Sequence, residues 1–160
     1  MGTMTKLFYK DKPLIGLDIS STDMKVMSID NHRHLVTGYG VIDLDPLQVR
    51  KAFDEGSDYM FKSLKTLLEQ KLVGTLASDQ VVLGIPTSRT FSRTFTVPAS
   101  TEPTLKDAVA LEVGQYIPVP ISLLYVDYEI IERSDGMLTV IMSAVPRKLV
   151  DNMLKACDEI

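Results

Sequence analysis

Five residues within one short stretch have side chains suited to holding a phosphate group and its metal. They are Asp18, Ser20, Ser21, Thr22 and Lys25, in "GLDISSTDMKV" from Gly16 to Val26. Hydroxyls and backbone N–H groups in a tight turn donate to phosphate oxygens. An aspartate at the end of a strand can hold Mg²⁺, which favours one or two carboxylates plus substrate phosphates. A lysine adds a compact positive charge. The same residue types also build an ordinary turn, because Ser, Thr and Asp close turns with their own hydrogen bonds. On these residues alone both readings stand.

A second group could serve recognition. In "SRTFSRTFTVP", Arg89 and Arg93 alternate with Phe91 and Phe95 along a strand. They are either exposed strand-face arginines or an edge that takes an acid or a peptide. Tyr116 and Ile117 open "YIPVP", an apolar turn that is either core or a docking surface. Glu112 shares a helical face with Leu105, Val109 and Tyr116, either reaching water at the edge of the stripe or anchoring the turn. Other chemistries find little support. His32 and His34 flank Arg33 with no third ligand evident, so a solvated turn is the expectation. Cys157 is the single cysteine, which rules out an internal disulfide and reads as a buried thiol. No CxxC, HExxH or GxxxxGK[ST] motif occurs, which argues against a redox protein, a zinc enzyme or a P-loop hydrolase.

The elements that must position these residues follow from periodicity. "PLIGLDIS", "MKVMSID" and "HLVTGYGVIDL" alternate with period two, giving a three-stranded antiparallel meander. From Asp45-Pro46 the period becomes helical, with Gly56 as an interruption or a break between two helices. "QVVLGIP" is a buried-type strand. "SRTFSRTFTVP" is a further strand, and the next helix carries Leu105, Val109 and Val113. "LLYVDYEII" and "MLTVIMSAV" form a hairpin across "ERSDG". A closing helix puts Leu149, Val150, Met153, Leu154 and Cys157 at helical spacing and runs to Ile160 without a cap, so a cut inside a longer protein is expected.

The chain has 160 residues, 45% of them hydrophobic, and a net charge of −4. It is long enough to bury a core and lacks the Lys/Arg-rich run that neutralises nucleic-acid phosphates. No apolar stretch approaches the ~20 residues of a spanning helix, and the first residues have no signal-peptide core. The reading is a cytoplasmic protein without direct membrane insertion.

"VVLGIPTSRTFSRTFTVP", followed by "LKDAVALEVGQYIPVPISLLYVDYEII" and "SAVPRKLVDNMLKACDEI", resembles the PilM-type actin-like proteins of type IV pilus assembly. The run from Glu112 to Pro120 is the most specific part. FtsA, the actin-like cell-division protein, is more distant. The resemblance implies an α/β fold: the first part of an actin-like (ribonuclease H-like) core, then an inserted strand-helix-strand-strand module with a closing helix. Residues 1–13 would be a flexible N-terminus, 14–86 the partial core and 87–160 the module.

It also implies that the first hairpin is a phosphate loop. Asp18 would be the magnesium-associated acid, Ser21 and Thr22 the phosphate-contacting hydroxyls and Lys25 the basic residue after the turn. Ser20 stands where the family usually has glycine, and so adds a Cβ where a phosphate would approach. ATP and Mg²⁺ would bind only in a complete two-lobed protein, with no enzyme activity expected of this chain alone. The implied partner is the N-terminal tail of a PilN-like membrane protein, docking between core and module. Other pilus assembly proteins or self-association are further possibilities. The implied location is peripheral to the inner membrane through partners. The alternative is an FtsA-like scaffold that polymerises through the inserted module.

Overall fold

The computed structural model of the chain describes residues 14–76 and 78–159. The N-terminus expected to be flexible, residues 1–13, lies outside them. The meander is present as β1 (Ile15–Ile19), β2 (Asp23–Asp30) and β3 (Leu35–Asp43). Helices α1 (Pro46–Glu55) and α2 (Tyr59–Thr66) follow, then a π-helical turn (Leu67–Lys71), the two-residue β4 (Val73–Gly74) and β5 (Val81–Gly84). Strand order is β4-β3-β2-β1-β5, with β5 parallel to β1 and the other pairs antiparallel. A meander whose first strand takes a parallel neighbour after a helical crossover is the opening of the ribonuclease H-like fold, as expected.

Alternation decides the faces of this sheet. Ile15, Leu17, Ile19, Met24 and Val26 point to the helices and are buried. Gly16, Asp18, Lys25, Met27, Tyr39, Val41 and Val82 point the other way, where they line an open trough of about 520 Å³. The helix α1 starts where Asp45 accepts from the Leu47 N–H at 2.9 Å with Pro46 at the first helical position. Its end is set by Gly56 at φ +80°, a backbone that side chains with a Cβ rarely adopt. Gly56 is therefore a break between two helices.

The second unit has β6 (Phe91–Pro98), α3 (Leu105–Tyr116), β7 (Leu124–Ser134) and β8 (Met137–Pro146), with strand order β6-β8-β7. Its core joins Phe95, Leu138, Val140, Met142 and Ala144 from the sheet to Leu105, Val109 and Val113 from α3. Helix α4 (Arg147–Asp158) leaves this unit. Leu149, Met153 and Ala156 are buried with Val49 and Phe53 of α1 and Met60 and Leu64 of α2 in the first core. The second sheet runs from Phe91 to Pro146, and the closing helix packs on the first core. Its helical spacing defined an apolar face but not the surface that face meets.

Candidate functional site

The β1–β2 hairpin brings Asp18, Ser20, Ser21, Thr22 and Lys25 together. Asp18 is paired across the ladder with Lys25 and lies beside Gly84 on the parallel strand β5. It thus sits at the carboxyl ends of two parallel strands, where open α/β sheets bind ligands. Gly84 is a part of the site that sequence reasoning missed. A Cβ built there would stand 2.8 Å from Asp18 Oδ1. A larger residue there would make the Asp18 carboxylate turn from this position, and the signal was a glycine closing the strand "VVLG". Lys25 Nζ lies 2.7 Å from Asp23 Oδ1. The contact is an ion pair. The lysine holds the Asp23 carboxyl below its ordinary value, with Ser20 and Thr22 assisting. In return Asp23, with a smaller contribution from Asp18, raises the Lys25 ammonium.

The recognition candidates separate. Phe95 and Ile117 are buried in the second core, at 9% and 6% exposure, so they shape the module and offer a partner no surface. Phe91 and Tyr116 are exposed. Arg93 lies over the Tyr116 ring, 3.3 Å from its centroid, and its Nε is 3.4 Å from Glu112 Oε2. That last contact is a charge pairing without hydrogen-bond geometry. Glu112 therefore anchors Arg93 beside the end of α3. Arg89 Nη1 donates to Asp54 Oδ1 of α1 at 3.2 Å, linking the start of the second unit to the first. On α4, Asn152 Nδ2 donates to the Ala52 carbonyl at 3.2 Å, while Asp151 accepts from the Tyr125 hydroxyl of β7 at 2.9 Å. One helix thus grips both units. Cys157 is half-buried, and burial raises its thiol above the ordinary value.

No protein-family model matches the sequence. The structure aligns with a chain of a PilM–PilN type IV pilus biogenesis complex at a TM-score of 0.73, with 18% identity over 91% of this chain and 44% of that one. The fold is that of PilM. The PilM-like superposition spans both units, so their pairing as well as their separate topologies is shared. A second match is the cytoplasmic domain of EpsL, an inner membrane component of the type II secretion system of Vibrio cholerae. It has a TM-score of 0.55, 12% identity and coverage of 91% of this chain and 53% of that one. The chain spans about half the length of these structures. The expected fold class, a partial actin-like core with an inserted module, therefore stands. Among the described residues, no helix is long and apolar enough to cross a membrane, and no group of His, Cys, Asp and Glu side chains forms a metal cluster.

Proposed function

We propose that this PilM-like chain is part of a cytoplasmic scaffold for type IV pilus assembly, held at the inner membrane through its partners. It would receive the N-terminal tail of a PilN-like membrane protein where the core meets the module. The observation that carries this reading is the superposition of both units, in their mutual arrangement, on a chain solved in a PilM–PilN complex. Arg89, Phe91, Arg93 and Tyr116 are the surface we assign to the tail. A peptide there gains apolar contact from Phe91 and Tyr116 and polar contact from the arginines. In a polypeptide that also supplies an opposing lobe, Asp18, Ser21, Thr22 and Lys25 would hold Mg²⁺ and the phosphates of ATP. Gly84 would make room for the acid. The role of the nucleotide would be structural.

The test is an NMR titration of the labelled chain with a PilN-like N-terminal peptide. Affinity should be modest, ~10⁻⁴ to 10⁻⁶ M, because a flexible peptide loses entropy on docking. Perturbed amides should cluster at Arg89–Arg93 and Tyr116, weaken with Arg93→Ala and be absent with a scrambled peptide. A cognate peptide that shifts nothing on the folded chain overturns the assignment.

A further inference from the structure

A turn that holds phosphate leaves backbone N–H groups aimed outward and unspent. The β1–β2 turn spends three of its own, at Ser20, Thr22 and Asp23. Ser20 Oγ accepts from the Thr22 N–H at 3.1 Å and from the Asp23 N–H at 3.0 Å. The Ser20 N–H donates to the Asp23 carbonyl at 2.9 Å. The Ser20 hydroxyl donates to that same carbonyl across 3.2 Å, and its oxygen lies 3.3 Å from Thr22 Oγ1. Thr22 Oγ1 donates in turn to Asp23 Oδ2 at 3.2 Å. The other oxygen of Asp23 faces the Lys25 ammonium. Three amides, two hydroxyls and the ammonium are thus engaged inside the turn.

We propose that Ser20 is a latch on this hairpin: its hydroxyl oxygen occupies the place of a phosphate oxygen at the Thr22 and Asp23 amides, and a phosphate group binds only when that side chain swings away. This inference rests on reading the hairpin as a phosphate loop. The physical basis is competition between a tethered acceptor and a free one. The Ser20 oxygen is held beside both amides by one rotatable bond, so its effective concentration is high. A lone phosphate oxygen is therefore a poor competitor. A Mg²⁺-bound di- or triphosphate competes better, because the metal draws on Asp18 outside the latch. The latch selects for metal-bound polyphosphate and against free phosphate. It also keeps the turn ordered while empty.

Three substitutions separate the hydroxyl from the bulk of the side chain. Ser20→Ala removes the oxygen and keeps the Cβ, Ser20→Gly removes both, and Ser20→Thr keeps the oxygen. A polypeptide that carries this chain together with the opposing lobe is titrated with Mg·ATP and read by the amide signals of Thr22 and Asp23. Both Ser20→Ala and Ser20→Gly should bind about tenfold or more tightly than wild type, the equivalent of releasing two competing hydrogen bonds. Ser20→Thr should match wild type. Hydrogen exchange at Thr22 and Asp23 should be faster in Ser20→Ala without ligand. If only Ser20→Gly gains affinity, the Cβ is the obstacle and the latch is refuted. If wild type binds as tightly as Ser20→Ala, it is refuted as well. If folded Ser20→Ala and Ser20→Gly both leave the hairpin amides unmoved, the hairpin is not a phosphate loop and the latch falls with it. PilN-peptide docking reads out at Arg89–Arg93 and Tyr116, so its success or failure is seen separately.

Discussion

Met153→Ala tests whether α4 belongs to the first core. Met153 is fully buried there, among residues of α1, α2 and the first sheet. The substitution removes about three methylene-sized groups, roughly 2.4 kcal/mol at ~0.8 kcal/mol each, and an unrelaxed cavity adds about 1 kcal/mol more. A loss of about 3 kcal/mol follows, at a urea dependence of ~2 kcal/mol per molar a midpoint lowered by about 1.5 M. The assay is native-state hydrogen exchange beside urea unfolding. Amides of Leu17 and Val26 should lose protection first, because their strands pack under the helix. Amides of Val140 and Met142 should be affected less. The control is Val140→Ala, which opens the second core and should reverse the order. If Met153→Ala weakens protection at Val140 and Met142 while β1 and β2 keep theirs, α4 belongs energetically to the module and not to the first core.

Two further outcomes follow from the hairpin. In a polypeptide with both lobes, Asp18→Ala should weaken Mg·ATP by about tenfold or more, since a charge-assisted anchor is lost; calorimetry showing equal affinity would remove Asp18 from the metal site. The Asp23 carboxyl lies below its ordinary 3.8 chiefly through Lys25, so the pairing contributes stability above that pH and is lost as pH falls through the lower folded value. Carbon-detected titration should place the Asp23 midpoint under 3.8, and Lys25→Met should move it back up; a wild-type midpoint at or above 3.8 refutes the pairing.

The strand faces were legible because alternation is a local property: Ile15, Leu17 and Ile19 are buried and Gly16 and Asp18 exposed, as period two requires. Asp45 and Pro46 announced α1 for an equally local reason. What escaped the sequence depends on partners distant in the chain. Phe95 looked like its neighbour Phe91, yet the register with Val140 puts it under α3 while Phe91 stays exposed at the strand's start. Ile117 follows a helix whose end folds it back into the core. Gly84 mattered only once β5 lay beside Asp18. The hairpin residues were found by type, but how Ser20, Thr22 and Asp23 share their hydrogen bonds is a matter of rotamers, and composition does not encode those.

The return of α4 has a consequence for biosynthesis. The first core is assembled from two parts of the chain, residues up to Ile85 and residues from Val145 onward, with nearly all of the second sheet encoded between them. The module's own core is contiguous, from Phe95 to Ala144. On a ribosome the part made first must therefore wait for the part made last. The nascent meander emerges with apolar side chains on both faces and no α4 to cover one of them. The module meanwhile closes on local contacts, which form faster than distant ones. Completion order inverts synthesis order, and the interval between them is when the young chain most needs a chaperone.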